Sequence, residues 1–216
     1  YEISLGLVGS EMCIRNSTGA GSVGHLSDTT NERYSSVSIP AGTAVKDFYV
    51  FSDGRTGTAT ITVTVGTTVI ATKSFVFHGS AATITPTVVN SVIQGTGGLG
   101  TAGTGAITAV VTDANGNPVS GATVYDVSSA TTVISDSYSS CGTTGADGKV
   151  TCDLTGVAAG TANITLTTNT SSTVTTGISA APVAIRVGAA PATATVTFDK
   201  GSYLPGCLLY TSDAAD

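Results

Sequence analysis

Strict alternation is the feature that most limits what this chain can fold into. In GTATITVTV (57–65), Ala59, Ile61, Val63 and Val65 alternate with Thr58, Thr60, Thr62 and Thr64. Successive side chains of a strand point to opposite faces. The segment therefore specifies one apolar face and one threonine face. GTANITLTT (160–168) repeats the pattern, with Ala162, Ile164 and Leu166 on the apolar side. The shared Gly-Thr-Ala-x-Ile-Thr start aligns the two at an offset of 103 residues. A second pair aligns at about 110: AATITPTVVNSVIQG (81–95) with PATATVTFDKGSYLPG (191–206). Each follows a strand ending in glycine, SFVFHG (74–79) and VAIRVG (183–188). A period near 105–110 is too long for a solenoid repeat and is the size of one β-sandwich domain.

Composition narrows the function classes. The 216 residues include 39 threonines and 27 glycines, and only 10% are charged, against about 25% in an ordinary soluble domain. Eight Lys and Arg against fourteen Asp and Glu, a net charge of −6, give no surplus to neutralise phosphates, so nucleic acid is not an expected partner. Leu, Glu, Lys and Ala at helical spacing are too scarce for a helical bundle. A hydrophobic fraction of 41% is too high for a disordered tail. No run of about 18 apolar residues exists, so no membrane-spanning helix is expected. Outward threonine builds a surface poor in charge and weak in electrostatic steering, which suits a passive spacer.

The expected fold is all-β, with tandem antiparallel β-sandwiches. Residues 16–79 read as the C-terminal part of one domain, with strands near 33–39, 44–51, 57–65 and 67–77. Residues 80–188 read as a complete domain, with strands near 82–88, 104–112, 118–127, 131–140, 148–154, 159–169 and 172–187. Residues 189–206 read as the start of a third. The glycine-dense QGTGGLGTAG (94–103) is expected to be the most mobile loop. The ends differ from this pattern. Residues 1–15 contain no threonine, and CLLYTSDAAD (207–216) follows Pro205-Gly206 abruptly. Both resemble sequencing-adapter DNA translated in an open frame, which puts the expected junctions after Arg15 and after Gly206.

VVTDANGNPVSGATV (110–124) is the most specific stretch. Asn115-Gly116 is a hairpin signal, because a tight turn needs residues that tolerate positive φ. Asp113 precedes the turn, and Pro118 is placed to start the next strand at an edge. Together with GTTGADGKVT (142–151) and AAGTANITL (158–166), this stretch resembles the bacterial Ig-like domains of invasin/intimin-type surface proteins. Those domains carry D-x-x-G-x-P-V-x-G-x-x-V, matched here from Asp113 to Val124. FDKGSYLPG (198–206) resembles the first-strand motif of a following repeat. One departure is Gly145-Ala146-Asp147-Gly148, where the family has T-D-A-N-G. The resemblance implies tandem Ig-like antiparallel β-sandwiches that form a rod-like spacer in an adhesin or other secreted surface protein, located at the cell surface or outside the cell.

Asp113, Asn115 and Asn117 alternate as oxygen ligands of a calcium loop do, but the glycine is misplaced and no bidentate Glu follows. The expected role is a turn with Asx hydrogen bonds, and no metal. Cys141 and Cys152 flank a Gly-rich turn (142–148) between two predicted strands. Their eleven-residue separation suits a cross-strand disulfide in a hairpin, worth about 2–3 kcal/mol by chain entropy, and an oxidising compartment. The alternative is two buried free thiols in a reducing one. Two Cys with no His nearby are too few for zinc.

Catalysis has no visible constellation, and no enzyme activity or cofactor is expected. His25, near Ser27 and Asp28, has no G-x-S-x-G elbow to make a triad. His78 ends a strand. The carboxylates are scattered. Lys73, in VIATKSFVF, is expected as an outward charge on an edge strand, with a Lys–Asn crosslink as the alternative. Asn16, Asn163 and Asn169 fall in N-x-S/T sequons. The expected partners are neighbouring Ig-like repeats of the same chain. Two further readings stay open: a module binding a host or cell-surface glycan or protein through 94–103 and 127–132, and an accessory domain of a large secreted enzyme.

Overall fold

The structure is a computed structural model, and it describes residues 2–5, 12–25, 33–39, 46–98, 100–190, 192–193, 195, 197 and 201–202. The described elements are all strands. In chain order they begin with β1 (Glu2–Leu5), β2 (Met12–Thr18), β3 (Ser22–His25), β4 (Ser36–Ile39), β5 (Lys46–Phe51), β6 (Gly57–Val65) and β7 (Thr68–Phe77). They continue with β8 (Thr83–Val88), β9 (Val92–Gln94), β10 (Ile107–Thr112), β11 (Thr123–Ser128), β12 (Ser137–Thr143), β13 (Lys149–Cys152), β14 (Gly160–Thr167) and β15 (Val183–Gly188).

Two antiparallel sandwiches of immunoglobulin-like build result. In the first, the sheet β4-β2-β6-β7 faces the sheet β1-β5-β3. Ile14, Val37, Ala59, Ile61 and Val63 from one sheet meet Val23, Phe48 and Val50 from the other in a common core. In the second, β12-β11-β14-β15-β9 faces β13-β10-β8. Ile93, Val124, Ile164, Leu166 and Ile185 pack there on Ile84, Ile107, Val111 and Val150. The alternation in 57–65 and 160–168 supplies both cores: Ala59, Ile61 and Val63, and Ala162, Ile164 and Leu166, are all buried. Each such side chain, moved from water to the core, contributes about 1.5–3 kcal/mol for Ile, Val or Leu. Among the described residues no helix is long and apolar enough to cross a membrane.

Several expected boundaries shift, each for a local reason. The stretch 131–140 does not run as one strand. Val133 and Ile134 donate to the Ala130 carbonyl and close a turn, Ile134 makes an isolated bridge to Gly156, and the strand starts at Ser137. The stretch 172–187 yields strand only at Val183–Gly188. Before it, Gly177 N–H donates to Asn169 Oδ1 at 2.8 Å and Ile178 N–H to Thr168 Oγ1 at 3.0 Å, holding a loop. The stretch 118–127 begins as an isolated bridge at Pro118, and its strand starts at Thr123. Strand β2 spans Met12–Thr18, and Ile14 is fully buried.

Within 94–103, Gly95, Gly98, Gly100 and Gly103 lie where a side chain would clash, while Gly97 has open space. A Cβ on Gly103 would lie 1.8 Å from the Leu154 carbonyl oxygen, and one on Gly98 would lie 2.3 Å from that of Gly188. Gln94 N–H donates to Thr101 and Thr96 N–H to Val157. Residue 99 lies outside the described set.

Candidate functional site: the joint at Asp113

Strand β10 ends at Thr112, and the chain reverses through Asp113-Ala-Asn-Gly-Asn117. The Gly116 N–H donates to the Asp113 carbonyl at 3.0 Å, and Asp113 N–H donates to the Asn117 carbonyl at 2.9 Å. Gly116 sits at φ 81°, a conformation that costs glycine nothing. Asp113 Oδ1 accepts the N–H groups of Asn115 and Asn117, both at 2.9 Å. Asn117 Nδ2 donates to Oδ2 at 3.0 Å. This is an Asx turn, with one short side chain replacing several backbone partners.

Asp113 Oδ2 also reaches outside its own hairpin. It accepts the N–H of Gly79 at 2.9 Å, in the short passage from β7 to β8. Beside it, Asn115 Nδ2 donates to Thr56 Oγ1 at 2.8 Å. Ser120 N–H donates to His78 Nε2 at 3.2 Å, and His78 Nδ1 lies 2.9 Å from the Gly79 carbonyl oxygen. Three side chains thus tie the end of the first sandwich to the 113–120 hairpin of the second. The Gly79 N–H is the largest influence on the Asp113 carboxyl, followed by the Asn117 amide; together they hold its pKa at about 2. Pro118 lies against Gly148, where an added Cβ would come within 2.6 Å of the Val111 carbonyl oxygen. An open groove of about 510 Å³ borders the joint, lined by Lys73, Phe75, His78, Pro118 and Ser120 among others.

Of the residues singled out in the sequence, the structure brings Asp113, Asn115, Gly116 and Pro118 into this joint. The amide nitrogens of Asn115 and Asn117 are donors here, so the carboxylate oxygens face N–H groups. His78 belongs to the joint as well. His25 lies in β3, while Ser27 and Asp28 fall outside the described residues. Lys73 is exposed, but it does not point to the outer face as expected. It pairs with the buried Ile61, and directly opposed residues share a face. Lys73 therefore lies on the core-side face at the sheet's edge, a position where a charge opposes further strand pairing. Asn163 is exposed and Asn169 half-buried.

Cys141 and Cys152 are joined in a disulfide, with Cα atoms 4.5 Å apart. Its setting differs from the expected hairpin. Cys141 lies in β12 and Cys152 in β13, which belong to opposite sheets, so the bridge staples the two layers of the sandwich. Cys13 is a free, half-buried thiol.

The sequence reading missed Asp126. It stands beside the disulfide, 1% exposed, with its Oδ2 3.8 Å from Cys141 Sγ and no partner for Oδ1. Burial first, and then the nearby Asp136 charge, push its pKa up to about 7. Asp136 is itself satisfied by the Thr155 N–H at 2.8 Å and the Ser139 hydroxyl at 3.3 Å. The donor atoms of Asp126, Cys141 and Cys152 lie within 4.8 Å of one another. The two sulfurs are spent on each other, which removes them as thiolate ligands. The offset of 103 aligns Val63 with Leu166, but only the strand pairing reveals what faces each. Ile14 pairs with Val63, and Asp126 pairs with Leu166, its aligned equivalent. An acid thus stands where the first sandwich buries an isoleucine.

No protein-family model matches the chain, and no curated protein matches it. Solved structures align with it at low similarity. Domains 4 and 5 of the S-layer protein SbsC align at 20% identity and a TM-score of 0.34, covering 64% of this chain and 69% of that one. The D0-D1 domain of intimin aligns at 17% and 0.30, covering 86% and 90%. Invasin, a bacterial integrin-binding protein, aligns at 22% and 0.33, covering 81% of this chain and 32% of its own.

Proposed function

We propose that the chain is a spacer segment: consecutive Ig-like units that hold another module away from the surface of a bacterial or phage-derived surface or secreted protein. The units are taken as 16–79, 80–188 and the beginning of a third at 189–206. The observation that carries this reading is the joint. A passage as short as Gly79–Ala82 limits the relative motion of two domains, and Asp113, Asn115 and His78 add hydrogen bonds across it. A spacer needs such stiffness, because a flexible link would let the distal module collapse back.

Further support comes from the matching strand orders. The order β4-β2-β6-β7 corresponds to β12-β11-β14-β15, with β6 and β14 aligned at the offset of 103. The low charge of the surface fits a role without steering. The inter-sheet disulfide fits an extracellular, oxidising setting. The experiment is small-angle scattering on the whole chain. An elongated particle with one preferred inter-unit angle supports the spacer, and two units tumbling independently refutes it.

A further inference from the structure

We propose that the Cys141–Cys152 disulfide is a thiol-exchange site, opened by a dithiol that attacks Cys141 while Asp126 hands its proton to the departing Cys152 sulfur. It stands on the second sandwich alone and holds whether or not the chain is a spacer.

Three observations meet at this point of the fold. Asp126 is buried, and its Oδ1 has no partner. A buried polar atom left without a bond is costly, and strain, redox chemistry or catalysis are the usual reasons for one. Its Oδ2 lies 3.8 Å from Cys141 Sγ. A disulfide sulfur carries no proton, so that contact is a hydrogen bond only when the carboxyl supplies one. The second observation is the strand that carries Cys141. Strand β12 ends its sheet, and its register against β11 shifts on either side of the Tyr125–Asp126 pair. Tyr138 in the same strand has φ 57°, a left-handed backbone that a non-glycine residue adopts at a cost. Register shifts and strain of this kind collect beside reactive groups. The third is unequal access: Cys141 is half-buried, whereas Cys152 is fully buried in the core with Ile107 and Leu154.

That inequality fixes the direction of attack. An incoming thiolate reaches Cys141 Sγ, and Cys152 must leave into the core. Apolar surroundings raise a thiol's pKa, so a bare Cys152 thiolate is a poor leaving group there. The reactive atoms of Asp126, Cys141 and Cys152 all lie within 4.8 Å of one another, which puts a proton source beside it. Burial first, then the Asp136 charge, push the Asp126 pKa up to about 7, and Asp153 adds to the effect. Around it β12 adds Tyr138, β14 no charged side chain, and β13 only Lys149, whose Nζ lies 3.7 Å from Asp147 Oδ2.

The exchange balances. The dithiol enters as its monoanion, and its thiolate bonds to Cys141 Sγ. The S–S bond breaks, its electron pair goes to Cys152, and Cys152 takes the Asp126 proton. The dithiol's second sulfur then displaces Cys141, and its proton ends on the Cys141 sulfur. The dithiol is oxidised to a cyclic disulfide, and the cystine is reduced to two thiols. Asp126 is left as a carboxylate beside the Cys141 S–H. In reverse, that carboxylate takes the proton back from Cys152. Opening the bridge unties the two sheets at β12 and β13.

The test is the rate at which dithiothreitol reduces the folded full chain at pH 6 and pH 8. The chain carries Cys13→Ser and Cys207→Ser, so that no other thiol reports, and the product is read by alkylation and mass. Each rate is divided by the dithiothreitol thiolate concentration at that pH. The normalised rate is expected to be first order in dithiothreitol and to fall about tenfold from pH 6 to pH 8, as Asp126 loses its proton. Asp126→Asn is expected to remove this dependence and to react more slowly than the parent at pH 6. A melting curve of the oxidised variant checks that it folds, and the parent's own profile is decisive without it. A parent rate that is level or rises toward pH 8 would overturn the exchange site, because an acid that only burdened the fold would loosen it on ionising and speed reduction. A rate independent of dithiothreitol concentration would also overturn it, since opening would then wait on unfolding. So would a folded Asp126→Asn chain with the parent's profile.

Discussion

Asp113 Oδ2 accepts the Gly79 N–H at 2.9 Å, so one carboxylate closes its own hairpin and holds the preceding sandwich. Replacing it should affect both at once. Asp113→Ala is expected to lower the melting temperature and to broaden the distribution of inter-unit angles. Asp113→Asn should retain part of the turn while giving up the charge that strengthens each bond. Calorimetry and scattering on the same samples read the two effects separately.

The pKa of Asp113, held at about 2 in the fold, sets the acid limit of the joint. A depressed carboxyl pKa gives stability that is complete above the unfolded value of about 3.9. It is lost as pH falls through the folded value. The inter-unit angle should therefore stay constant down to about pH 4 and loosen toward pH 2, and Asp113→Ala should abolish that dependence. Scattering across this range checks it.

Asp126 has the opposite sign. Its pKa is raised to about 7 by burial, so the folded state binds a proton that the unfolded state releases. The contribution is complete below the unfolded carboxyl value and is lost as pH rises through about 7. Stability should decline across that interval by at most about 1.4 kcal/mol per pH unit. Asp126→Asn should flatten the profile and stabilise the fold above pH 7. Denaturant titrations at pH 4, 6 and 8 measure it.

The Cys141–Cys152 bridge spans the two sheets of the second sandwich. Changing both to Ser should cost about 2–3 kcal/mol, the chain-entropy value for a loop of this length. Urea unfolding of the variant against the oxidised parent gives the difference, and reductant should lower the parent to the variant's level.

Gly103→Ala should be severely destabilising although it adds one methyl group. The new Cβ would meet the Leu154 carbonyl oxygen at 1.8 Å, and backbone on both sides must move. Gly116→Ala, at φ 81° with nothing near the new Cβ, should show only the smaller penalty of its turn conformation. Comparing their melting temperatures separates steric crowding from backbone strain.

The strands that alternate on one face were legible in the sequence, because burial follows a period of two over 58–64 in β6 and 161–166 in β14. Strand β9 was not. It has three residues, and its partner β15 lies more than 90 residues away in parallel, so no local pattern marks it. Strand β11 misled for a different reason. TVYDVS buries Val124, Asp126 and Ser128 and leaves Tyr125 and Val127 half-exposed, against the hydrophobicity of its residues. The hairpin at Asp113 was legible from Asn115-Gly116 and Pro118. Its bond to Gly79 was not, because turn chemistry is local and the joint is made between segments 34 residues apart.

The central claim is that the two sandwiches are held at a fixed angle by the joint. Residual dipolar couplings from amides in β6 and β14 of the intact chain test it most directly. One alignment tensor should fit both strands in the parent, and Asp113→Ala should require two of unequal magnitude. Two unrelated tensors in the parent would contradict the account.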